Sequence, residues 1–144
     1  MKRPILTTYQ LLIGVSDTAT GALLMVAPQF TLHGMGLHAP DDALTYLSFI
    51  GAFVFSVGAA CLYGAKFAAC DGCTRRLETV WLLTAITRAA VAIFVTANVV
   101  SGVLALGWMT VAVCDAGCAA IQSVGLRRGW LNDAAMRVAT SVAK

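Results

Sequence analysis

Asp17, Arg88 and Asp115 are the residues of this 144-residue sequence best placed for chemistry, because each is an ionisable group set within an otherwise apolar run. A guanidinium can hold two carboxylates through a fork of charge-assisted hydrogen bonds. Two acids against one base leave a formal charge of minus one, which a proton on either acid, a cation or a cationic ligand would balance. Helical spacing sets Thr20 and Gly21 beside Asp17, Thr84 and Ala92 beside Arg88, and Cys118 and Gln122 on the side of Asp115. The candidate site is therefore one polar seam of Asp17, Arg88, Asp115, Thr84 and Gln122. A network that only fixes helix packing, or that meets a partner subunit, satisfies the same residues.

The remaining reactive residues carry weaker signals. Cys70-Asp71-Gly72-Cys73 has the spacing of a redox pair or half a zinc site, but its connection holds no further Cys or His. Cys114 and Cys118, one turn apart around Asp115, read as small apolar packing residues. His33 and His38, with Asp41 and Asp42 behind them, are weak metal candidates without a third fixed ligand. No metal site is assigned. No span contains a histidine for haem, and no Walker, G-x-S-x-G or H-E-x-x-H motif occurs, so neither a nucleotide cofactor nor a catalytic residue is assigned.

The elements that must carry these residues follow from composition. The chain is 59% hydrophobic and 12% charged, with a mean hydropathy of +0.81. Soluble domains run nearer a quarter charged, so a soluble enzyme, a disordered chain and a disulfide scaffold are excluded. Apolar runs of helix length occupy about 8–27, 44–65, 77–100 and 103–124, too long and too rich in Ala and Leu for strands. The expected fold is an all-α, four-transmembrane-helix bundle over 1–128, followed by a cytoplasmic tail over 129–144 with the makings of a surface helix.

Orientation comes from charge. Nine of the ten basic residues fall in the N-terminal segment, the 66–76 connection and the C-terminal tail, and none falls in the other two connections. The positive-inside rule puts both termini in the cytoplasm and the protein in the cell's inner membrane. Tyr9, Tyr63, Trp81 and Trp130 are then expected in the cytoplasmic headgroup layer, with Tyr46 and Trp108 in the opposite one. The net charge of +3 needs no nucleic-acid partner. A signal peptide is the rival reading of the first run, but Asp17 interrupts it and Met25-Val26-Ala27 is a poor cleavage site.

This frame gives the ionisable residues their meaning. They sit nine, ten and twelve residues in from Thr8, Glu78 and Arg127, roughly 14, 15 and 18 Å of rise, near mid-bilayer. An unpaired charge there costs roughly 2.5 to 3.5 kcal/mol or more, so the three are expected to face inward and meet. Gly14, Gly21, Ala85, Ala112, Ala116 and Gly117 are the small residues expected to let helices approach. Segment 11–17 can also be laid on 82–88, which puts Asp17 and Arg88 in equivalent places.

The external 28–43 connection, with Phe30, Leu32, Met35 and Leu37 between glycines, is expected to lie in the interface, and Asp41 to cap the following helix. Few residues around Ser101 and Gly102 join the last two spans, so those spans must be antiparallel neighbours.

Ala27-Pro28, Gly34-Met35-Gly36-Leu37, Gly51 and Gly58 within this four-span layout resemble the DoxX-like small bacterial membrane proteins. The resemblance covers about the first hundred residues and implies association with quinone-linked oxidoreductases. It transfers no catalytic residue. Quinone-coupled disulfide-forming proteins offer another four-span analogy, but their exchange needs cysteines on the oxidising side, where this chain has none. The expected function is a non-catalytic accessory subunit of a larger membrane complex, for which the resemblance suggests a quinone-linked respiratory one. The alternative is a binding or transport module for a proton, a cation or a small amphipathic ligand such as a quinone or lipid. Partners are the bilayer and either other membrane subunits or further copies of the chain.

Overall fold

A computed structural model describes residues 3–68, 70 and 73–131. Its described residues are helical throughout, apart from short connections. Helix α1 spans Arg3–Val26, α2 Pro28–Gly34, α3 Leu44–Ala68, α4 Thr74–Val100 and α5 Met109–Arg127. Short 3-10 turns at Asp41–Ala43 and Leu106–Trp108 lead into α3 and α5. With those turns included, α1, α3, α4 and α5 are each long and apolar enough to cross a membrane. The protein is thus a membrane-type helical bundle. Of the 129–144 tail, residues 132–144 lie outside the described residues.

The helices form two pairs. α1 lies along α3, α4 lies along α5, and the pairs meet chiefly where α3 touches α4. Glycine decides the first pairing. A Cβ on Gly21 would run into the Phe55 backbone, and one on Gly58 into the Thr18 backbone, so each helix presents glycine where its partner's main chain passes. Gly14 and Gly21 were expected to act this way, whereas Ala116 and Gly117 do not. Both are exposed on α5, and a Cβ on Gly117 would meet open space. Their face of the helix points away from the neighbours.

Three local expectations are corrected. The last membrane helix begins at Met109, not near Val103, because Ser101-Gly102 forms a turn with Gly102 at φ +76° and Ala105 is extended. Apolarity alone does not separate such a turn from a helix. Asp41 makes no capping bond, because its Oδ1 accepts a hydrogen bond from Gln29 Nε2 at 2.9 Å and ties α2 to the start of the next span. Trp81 is not an interfacial anchor. It is completely buried among Leu6, Ala68, Leu77 and Leu131, with Tyr9 tilted against it at 5.7 Å between ring centroids.

At the opposite end α2 covers the bundle rather than projecting from it. Leu32 and Leu37 bury against Leu47, with Trp108 packed beside them, while Phe30 stays largely exposed. The wide apolar outer surface, including Phe49, Phe53, Ile93 and Phe94, is what a lipid-facing bundle presents.

Candidate functional site

α4 brings Arg88 to the middle of the bundle, where its side chain is only 6% exposed. Its two terminal nitrogens divide between two helices. Nη1 donates to Asp115 Oδ1 of α5 at 2.6 Å, and Nη2 donates to Asp17 Oδ2 of α1. The planar fork of an arginine suits such a divided task, because its donors point in fixed, separate directions. The expectation that the three charges meet is met in the geometry. The carboxylates themselves are not sealed, with Asp17 20% and Asp115 18% exposed.

The second part of the seam lies one to two turns further along. Gln122 on α5 is wholly buried and donates from Nε2 to Thr84 Oγ1 at 3.0 Å. The Thr84 hydroxyl in turn donates to the Val80 carbonyl of its own helix at 2.7 Å. This chain links α4 to α5 beside the ion pairs, as the sequence spacing suggested. Thr84 and Gln122 are joined to each other and not to the carboxylates.

Two cysteines complete the surroundings. Cys61 on α3 is fully buried within electrostatic reach of Arg88 and Asp17, and Cys118 on α5 lies between Tyr9 and the charge cluster. Cys114, expected as core packing, is instead exposed on the outer face of α5. A residue one turn from a buried one shares its face, but Cys118 is itself only half-buried, so the face turns outward along this turn.

Gln10 is the residue that sequence reasoning missed. It is fully buried, although its position near the end of α1 reads as an interfacial polar residue. The available signal was its spacing: Gln10 stands seven residues from Asp17, as Gln122 stands seven from Asp115.

The other candidates do not converge on this site. Cys70 and Cys73 are joined as a disulfide with their Cα atoms 5.6 Å apart, whereas the orientation expected from charge, which puts this connection on a reducing face, argues against a stable disulfide. The physical reason is local: α3 ends at Ala68 and α4 begins at Thr74, so both cysteines stand in the short interval between two helices. His33 and His38 meet edge to face, 6.3 Å between centroids, at the far end of the bundle beside α2. Among the described residues no group of three His, Cys, Asp or Glu side chains could hold a metal ion.

The chain matches no protein-family model, no curated protein and no solved structure.

Proposed function

We propose that this protein is a membrane-embedded binding module whose site is Asp17–Arg88–Asp115, and that the positive charge it takes up is a proton. The observation that carries this reading is that one guanidinium bridges carboxylates from two other helices. A cluster with two acids and one base stays uncompensated in a low-dielectric setting until one more positive charge arrives. Partial exposure of both carboxylates leaves that charge a way in. The module sits in the cytoplasmic membrane with both ends inside, an orientation supported by the clustering of basic residues at one end of the bundle.

Infrared spectroscopy of the reconstituted protein tests the reading. At neutral pH the wild type is expected to show the C=O stretch of a protonated carboxyl. Replacing either acid leaves a neutral pair with Arg88, so Asp17→Asn and Asp115→Asn should each abolish it. A band that survives in both variants, or that never appears in the wild type, would refute the proposal.

A second reading has its own support. α1 and α5, which carry Asp17 and Asp115, are not closely packed against each other, both carboxylates keep exposed edges, and polar edges at mid-bilayer favour a covering helix. This suits an accessory subunit of a larger membrane complex, as the DoxX-like resemblance also implies. A stable solitary monomer purified in mild detergent from its native membrane would count heavily against it.

A further inference from the structure

Each charged residue of the site has a fully buried polar side chain seven residues away along its own helix, toward the end that carries Lys66, Arg75, Arg76 and Arg127. Gln10 lies below Asp17, Trp81 below Arg88 and Gln122 below Asp115. Seven residues return to nearly the same helix face after about 10.5 Å of rise, so these three form a second layer beneath the first. α3 makes room for it with Gly64, where a Cβ would collide with Gln10 Nε2.

This layer is short of partners. Among the described residues, both polar atoms of the Gln10 amide, Trp81 Nε1 and Gln122 Oε1 have no hydrogen-bonding partner, while the Tyr9 hydroxyl beside them stands against Cys118. Each buried group left in that state costs about 1–3 kcal/mol. Donors and acceptors are both represented, which is the pattern that water satisfies, since one molecule can give and accept at once.

The half of the bundle on the other side of Arg88 differs. Its buried side chains on the spanning helices are Leu24, Leu47, Ala92, Val95 and Ala112, packed around Gly21 and Gly51, and α2 closes the end. Of the buried polar groups there, Thr31 of α2 donates to the Ala27 carbonyl, and the single unpartnered atom in that half among the described residues is Thr18 Oγ1, one residue beyond Asp17. The two halves are thus unequal. Among the described residues, the apolar cluster of Leu6, Ala68, Leu77 and Leu131, which also takes in the Trp81 ring, stands between the Gln10 layer and the basic end, about one turn thick on α1.

We infer that waters held by Gln10, Gln122 and Trp81 connect the carboxylates to the basic end alone, with the Leu6–Leu77–Leu131 layer as the gate. A hydronium at the basic end passes its proton into this file, each water hands one on, and a carboxylate oxygen of Asp17 or Asp115 receives the last. The hydronium is left as water, and no other reactant is needed. A thin apolar constriction controls such a file by admitting or excluding water. The titratable and charged groups facing the two acids, besides each other, are Arg88 from α4, Cys61 from α3 and Cys118 from α5. This inference rests on the proton reading of the site.

The test follows the protonated-carboxyl band after a rapid pH jump applied to one side of vesicles holding the protein in a single known orientation. The wild type should respond when the basic end meets the jump and stay unchanged when the other end does. The Gln10→Leu variant should keep the band at equilibrium but respond slower by about tenfold or more. Leu6→Ser, which wets the gate and leaves the amide layer intact, should respond faster, so the proposal stays open to test even where the Gln10→Leu variant does not fold. A response from the opposite end, or rates unchanged in both variants, would overturn one-sided entry while leaving proton binding intact. Absence of the band from the wild type would instead overturn the proton reading, and this inference with it.

Discussion

Arg88 ties together α1, α4 and α5, of which only α4 and α5 pack closely against each other, and a single substitution exposes how much depends on it. Arg88→Gln leaves Asp17 and Asp115 facing each other with no cation between them. Loss of one partner from a buried ion pair costs about 3–5 kcal/mol, so the variant should unfold at a clearly lower temperature in detergent. Arg88→Lys keeps the charge as a single point that cannot serve two directions at once, and should recover only part of the loss. Equal melting of Arg88→Gln and wild type would show the bridge to be energetically idle. The charges were legible in the sequence, because an ion in an apolar run has few places to go, and helical spacing also named Thr84 and Gln122. Gln10 was not, since a glutamine two positions into an apolar run looks like a headgroup contact until the helix is seen to begin at Arg3.

At the level of elements, the glycines separate close packing from mere smallness. Gly58→Ala places a methyl group against the Thr18 backbone, which cannot rotate away, and overpacking of this kind typically costs about 1–3 kcal/mol. Gly117→Ala adds the same methyl where nothing stands nearby, and replacing a helical glycine with alanine is worth up to about 1 kcal/mol in favour of the helix. Thermal melts of the two variants should therefore move in opposite directions. Parallel shifts would mean that α1 and α3 are not in the contact described. The four long helices were legible from apolar length, and the pairing of the last two from their short connection. The choice of packing glycines was not, because Gly14, Gly21 and Gly117 are alike in sequence and differ only in which face the neighbouring helix approaches. The start of α5 was hidden for a related reason, since Val103 and Leu104 are as apolar in a turn as in a helix.

For the whole molecule, the disulfide and the charge pattern pull in opposite directions, and their conflict can be put to use. Lys66 ends α3, Arg75 and Arg76 open α4, and Arg127 ends α5, so the described basic residues outside the site gather at one end together with Cys70 and Cys73. The opposite connections contain no Lys or Arg. A positive end is retained on the cytoplasmic side during insertion, and that side keeps thiols reduced. The bond between Cys70 and Cys73 is favoured by their proximity, whereas its persistence in a cell depends on which compartment the end faces. With Cys61, Cys114 and Cys118 replaced by alanine, a membrane-impermeant thiol reagent should leave intact cells unlabelled. It should label Cys70 and Cys73 once the cells are opened under conditions that preserve their redox state. That result would fix the basic end inside and make the cytoplasm the source of protons for the Gln10 layer. Labelling of intact cells would place this end outside and reverse the side from which protons enter. Resistance to labelling until a reductant is added would make the disulfide a lasting part of the α3–α4 connection, on a side that oxidises it.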